Sequence, residues 1–200
     1  MISLLPLTKM FSLFAVLSLL IVTAISYLLS LCSVDTYSDL RLLGMIGFIL
    51  EFLLIFLFTK GWRFFWKHIP ALNKWIFPDL NGEWEAEIQW TWKGGDDQIK
   101  KGTKIGRVVI QQSLLKFSVD LITDESESTT LVVKPFKDPE SDQPAFYYMY
   151  KSESIDPGND GGEHKGAAVL KVPLGTLNIL SGKYFTSRNT FGRYTFTRKI

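Results

Sequence analysis

The nine residues GKYFTSRNT, from Gly182 to Thr190, break the apolar alternation around them and carry residue types that could do chemistry. In an extended chain alternate side chains point the same way, so Tyr184, Thr186, Arg188 and Thr190 share a face on which every residue has a polar tip. Turned inward, that face is the wall of a polar pocket. An arginine there suits a phosphate, which accepts two charge-assisted hydrogen bonds from one guanidinium, whereas a buried guanidinium with no partner is costly. Turned outward, the same residues form a solvated face with Phe185 as the inward residue, or Arg188 pairs with a carboxylate. Both readings fit the spacing.

Aromatic residues raise the same alternative. In Phe146-Tyr147-Tyr148-Met149-Tyr150, Tyr148 and Tyr150 share a face with Phe146, and such rings either stack on nucleobases or fill a core. Trp84 and Trp90 carry the same two readings. His164 is either an exposed or satisfied histidine or a ligand contact, and Gln111, Gln112 and Ser113 either read a base edge or cap a turn. Catalysis finds little support. No histidine has a recognisable nucleophile beside it, no phosphate-cradling glycine loop opens a helix, and the Gly-rich stretch 156–162 is a loop. The histidines are His68 and His164, and Cys32 is the single cysteine, so neither a protein metal site nor an intrachain disulfide is expected. The reading is of a binding protein with no catalytic residue, metal or cofactor.

A β-rich domain must position these groups. Past Pro70 the pattern becomes short alternating stretches between turn residues. In the segment from Gly82 to Trp92, Trp84, Ala86, Ile88, Trp90 and Trp92 fall on one face and Glu83, Glu85, Glu87, Gln89 and Thr91 on the other, which predicts a half-buried strand. Seven more candidates cover 103–112, 115–122, 128–134, 145–151, 163–171, 176–187 and 191–199. Eight antiparallel strands with one apolar face close most economically into a small barrel of lipocalin-like size, with no exposed edge and room for one small ligand.

Ahead of that domain the chain reads as membrane-spanning. Residues 10–32 contain no charge, enough apolar length to cross about 30 Å of hydrocarbon. A second apolar segment runs from Leu40 to about Phe58, after an acidic loop and before Lys60, Arg63, Lys67 and Lys74. The positive-inside rule then places both termini in the cytoplasm. Trp62, Trp66 and Trp75, interleaved with those cations, suit the headgroup region. The expected division is a two-helix transmembrane region with its juxtamembrane stretch over 1–69 and a cytoplasmic β-barrel over 70–200. Gly44, Gly47 and Glu51 fall on one helical face. Small residues there let helices approach, and an ionisable group at membrane depth usually faces protein or water. That face is either a self-association surface or ordinary packing with a protonated Glu51.

Charge narrows the ligand class. Residues 70–200 hold seventeen Lys or Arg and seventeen Asp or Glu. A formally neutral domain lacks the basic stripe that a DNA or RNA polymer requires, while a small anion needs only one or two cations.

The opening Pro78-Asp79-Leu80-Asn81-Gly82-Glu83-Trp84, the closing GKYFTSRNTFG from Gly182 to Gly192, the two candidate spans and the basic aromatic juxtamembrane stretch after them together resemble a known family. It is the two-transmembrane, β-strand-rich effectors of CBASS, the bacterial cyclic-oligonucleotide antiphage signalling system. The resemblance covers essentially the whole chain, although the membrane helices match only in kind. It implies a minimal β-barrel binding a cyclic dinucleotide from a partner CD-NTase-type nucleotidyltransferase. It also implies ligand-promoted homo-oligomerisation and disruption of the bacterial inner membrane by the gathered helices. Such a ligand carries two phosphates and two flat bases. Arg188, Thr186 and Thr190 would then meet phosphate, and Tyr184, Tyr148, Tyr150 and Trp84 would offer aromatic surface. The alternative is a membrane-tethered, lipocalin-like carrier or scaffold with an apolar pocket and no central arginine.

Overall fold

The structure is a computed structural model, and it describes residues 15–16, 18–25, 27–28, 36–94, 98–114, 116–155, 162–173 and 175–199. The first expected span lies partly outside them, and its described residues are helical. From Thr36 the chain is helical as α1 (Thr36–Phe56), a π-helical segment (Leu57–Gly61) and α2 (Trp62–His68), followed by the short α3 (Ala71–Trp75). Within this run Gly44–His68 is long and apolar enough to cross a membrane. The second span was expected to end near Phe58, but helix continues to His68, because no strong helix breaker intervenes before Pro70. Gly44, Gly47 and Glu51 are exposed on α1, and nothing lies within 4 Å of where a Cβ at either glycine would sit.

Eight strands follow: β1 (Gly82–Lys93), β2 (Ile99–Gln112), β3 (Phe117–Thr123), β4 (Ser126–Lys137), β5 (Pro144–Ser154), β6 (His164–Lys171), β7 (Ile179–Thr186) and β8 (Thr190–Arg198). Each pairs antiparallel with the next, and β8 returns to β1, giving the expected closed barrel. The alternation of β1 decides which side is inside. Trp84, Ala86 and Ile88 are buried, and the glutamates between them are exposed. The β3–β4 seam is the shortest, with Leu121 opposite Ser128 and Ile122 opposite Glu127. Beyond it Thr130 Oγ1 replaces ladder bonds, accepting from Val119 N at 2.8 Å and donating to Val119 O at 2.7 Å. A bulge between Thr130 and Val132 then turns Leu131 outward.

One end of the barrel is closed by the helical segment. Trp62, Trp66, Phe77 and Leu80 are buried together with Trp84, and Trp66 Nε1 donates to Phe77 O at 2.7 Å. Gln112 ties the connecting segment down: its Oε1 accepts from Leu80 N at 2.8 Å, and its Nε2 donates to Pro78 O at 3.0 Å. Arg63 pairs with Asp79 at 2.9 Å across the same junction. The expectation that Trp62, Trp66 and Trp75 anchor in headgroups is thus corrected for the first two. They lie one helical turn apart on the face that meets the barrel, and burial there removes two indoles from any lipid contact. Trp75 remains exposed.

Candidate ligand-binding site

The other end of the barrel opens into a cavity of about 410 Å3, within the usual range for small-molecule sites, roughly 300–1,000 Å3. Its floor is aromatic. Tyr184 and Tyr194 stack with centroids 4.1 Å apart and planes 8° from parallel, and the Tyr150 and Tyr194 hydroxyls are 3.0 Å apart. Space for Tyr150 comes from its cross-strand partner Gly166, where a Cβ would stand 2.3 Å from Tyr150 Cζ. Trp90 leans over its own partner Gly102 in the same way. Burial is the main reason that the tyrosine hydroxyls hold their protons. It pushes Tyr194 well above the ordinary range and Tyr150 up, and the nearby Tyr150 adds to the rise at Tyr184.

The walls differ in chemistry. On β1, Trp90 and Trp92 supply flat indole surface, with Lys104 Nζ 6.0 Å from the Trp90 ring centroid. On β4 and β5, Ser126 faces Ser154 and Ser128 faces Ser152 across the ladder, so four inward hydroxyl side chains make one polar wall. The β7–β8 turn brings Thr186, Arg188 and Thr190 to the mouth. Thr186 Oγ1 accepts from the backbone N–H groups of Arg188 and Thr190, each at 3.3 Å, which fixes the shape of that turn. Arg188 Nη2 donates to Gly162 O at 2.6 Å. Among the described residues no carboxylate pairs with this guanidinium, whereas Lys104 is paired with Glu125. His164 sits beside it, half-buried, with no hydrogen-bond partner on Nδ1 among the described residues. Its pKa is lowered by burial first and by the Arg188 charge second.

Five of the seven residues singled out for the ligand therefore border the cavity: Arg188, Thr186, Thr190, Tyr184 and Tyr150. The structure separates the other two from it. Trp84 is fully buried at the closed end, where its Nε1 donates to Leu80 O at 3.1 Å and the Arg198 guanidinium lies 4.7 Å from its ring. Tyr148 has the inward parity of Tyr150 but lies one layer deeper, between Phe146 and Tyr150. Gln112 belongs to the closed end as well, as a structural tie. Trp92, Tyr194, Lys104 and the four serines had not been singled out. Period-two serine in SES at 126–128 and again at 152–154 was the available signal.

A cavity with a stacked aromatic floor, indole and hydroxyl walls and a guanidinium free of carboxylate at its mouth fits a flat, polar, anionic ligand. No curated protein matches the chain. Residues 75–198 match the family described as Cap15, cyclic dinucleotide receptor domain, a span that begins at the last residue of α3 and takes in all eight strands. The barrel is thus a cyclic dinucleotide receptor domain, and the chain belongs to the Cap15 family of CBASS effectors.

Proposed function

We propose that this protein is a membrane-tethered sensor that binds a cyclic dinucleotide in the open-end cavity and responds by self-association that disrupts the bacterial inner membrane. The observation that carries the reading is Arg188 at the mouth, unpaired with carboxylate among the described residues, above the Tyr184–Tyr194 stack. Arg188, Thr186 and Thr190 bind phosphate. Tyr184 and Tyr150, joined by Trp90 and Trp92, supply surface for the bases. Trp84 and Tyr148 support that surface from behind. Residues 1–69 form two spans with both termini cytoplasmic, and the Gly44, Gly47 and Glu51 face packs between subunits once they gather. The nucleotide comes from a CD-NTase-type nucleotidyltransferase.

Binding needs no bond-breaking step, so the ligand acts through its unequal affinity for two states of the protein. The ten hydroxyl-bearing residues around the cavity favour this reading over a carrier of apolar cargo. The test is direct. The full chain in detergent is titrated with cyclic di-GMP, cyclic di-AMP, cyclic GMP–AMP and cyclic UMP–AMP while melting temperature and mass are followed. One of the four is expected to raise both. A flat response to the whole panel would remove the reading.

A further inference from the structure

Three cross-strand pairs on the outer wall of the barrel bring like charges face to face; one, Lys151 of β5 opposite Lys165 of β6, adjoins Glu153 and is met by carboxylates, and the other two are less well compensated. Lys183 of β7 lies directly opposite Arg193 of β8, and Glu127 of β4 directly opposite Glu153 of β5. Like charges at that spacing oppose each other and destabilise an isolated sheet. All four side chains are exposed. Among the described residues Lys183 and Arg193 meet no carboxylate, and Glu127 meets no cation. Lys151 is divided between Glu153 and Glu163, one cation serving two carboxylates.

Each of those other two pairs stands beside exposed apolar surface. Next to Lys183 and Arg193, Phe185 and Phe191 face one another across the same ladder and are 63% and 48% exposed. Next to Glu127 and Glu153, Ile122 is the β3 partner of Glu127, and Ile155 follows the end of β5; both are exposed. The β7–β8 seam is thus basic and aromatic, and the β4–β5 seam is acidic and aliphatic, with Lys151 and Lys165 bordering it on the β6 side. The β4–β5 and β7–β8 seams are three strand positions apart in a barrel of eight, so the two walls face well away from each other. Both back onto the cavity: Ser126, Ser128, Ser152 and Ser154 lie inside the acidic wall, and Tyr184 and Tyr194 inside the basic one.

We propose that these walls are the two halves of a head-to-tail contact between copies of this chain, with Lys183 and Arg193 of one protomer meeting Glu127 and Glu153 of the next. Two different patches on one molecule make a heterologous contact, which closes into a ring or propagates as a row. Charge complementarity favours a second copy as the occupant, because the chain carries an unpaired basic pair at one seam and an under-compensated acidic pair at the other. Strand alternation links the cavity to the contact: Thr186 and Thr190 adjoin Phe185 and Phe191 on the hairpin that presents Arg188. This inference rests on the ligand-driven self-association proposed above and specifies its surface.

The test uses charge reversal in the full chain, in detergent, with the nucleotide of the panel that gives the largest thermal shift. Lys183→Glu with Arg193→Glu makes both walls acidic, and Glu127→Lys with Glu153→Lys makes both basic. Each variant is expected to keep the ligand's thermal shift and to stay at single-chain mass at concentrations where wild type assembles. Mixed one to one, the two variants are expected to assemble again, because every contact is then matched, and added salt should weaken wild-type assembly. Assembly of either variant alone at wild-type mass would overturn the contact. So would a mixture that stays unassembled, the outcome expected if a second protein or a lipid surface covers these walls. A wild-type chain that binds nucleotide but never changes mass would overturn the self-association reading itself and the contact with it.

Discussion

The Tyr150 and Tyr194 hydroxyls lie 3.0 Å apart inside the barrel, and the Tyr194 ring is stacked on Tyr184. Burial pushes both hydroxyls above the ordinary tyrosine range, so both are protonated at neutral pH. One hydroxyl donates to the other. Tyr194→Phe keeps the stack but removes the hydroxyl pair, and a buried neutral hydrogen bond contributes about 1 kcal/mol. The expected result is a loss of that size in unfolding free energy, measured by denaturant titration in detergent, with a weaker but persistent nucleotide response.

Arg188 is exposed, and the hydrogen bond seen for its side chain runs to a backbone carbonyl, so its removal should leave the ligand-free melting temperature almost unchanged. Its loss should matter in the complex. A hydrogen bond to a charged group contributes roughly 1.5–3 kcal/mol, which corresponds to a ten- to hundredfold weaker Kd for Arg188→Ala. Arg188→Lys should recover part of the affinity, because an ammonium keeps the charge and loses the two-pronged geometry. Calorimetric titration of the three proteins with the active nucleotide separates these outcomes.

Gly166→Ala places a methyl 2.3 Å from Tyr150 Cζ on the opposite strand. The ring must move or the strands must part, and overpacking of this kind costs about 1–3 kcal/mol. Tyr150→Phe in the same chain should not relieve it, since the clash is with the ring carbon itself. Tyr150→Ala should relieve the clash while losing the floor of the cavity. Thermal melts of the single and double variants decide between these.

His164 gives a pH dependence with a defined sign. Its pKa is lowered in the folded protein by burial and by Arg188, so the unfolded chain binds the proton more readily. The stability it contributes is complete above the ordinary value near 6.5 and declines as pH falls through that value toward the folded one. A phosphate at the mouth would oppose the lowering and favour the charged imidazole. Nucleotide binding should therefore take up protons and tighten, relative to His164→Gln, as pH falls from about 7.5 toward 6. Titrations in buffers of different ionisation enthalpy measure the uptake.

The barrel was legible because its strands are wet on one side. Burial alternates along β1, and turn residues mark most of the breaks between the strands. The cavity was legible only in part. Arg188, Thr186 and Thr190 stand out because a strand face made of polar tips is unusual. Their direction is a matter of parity, which the pairing of β7 with β6 and β8 settles and the residues alone do not. Trp84 and Trp90 occur in the same strand on the same face, yet one is plug and the other cavity wall. Depth along the barrel depends on what covers each end, and the cover for Trp84 comes from Trp62 and Trp66, about twenty residues earlier. Serines at 126 and 154 look like turn chemistry until their strands are paired. The tryptophans near Lys60 and Arg63 have the composition of an interfacial belt and of a hydrophobic stopper alike, and only their partners Phe77 and Leu80 distinguish the two.

Trp62 and Trp66 belong at once to the helical run that includes the candidate span and to the stopper of the barrel. Under the proposed function, nucleotide would enter and leave through the far end of the barrel, away from the plug and the candidate span. The same joint is held by two buried indoles, an ion pair and the Gln112 clasp. Under the proposed function, those contacts are the route by which occupancy at one end would reach the helix at the other.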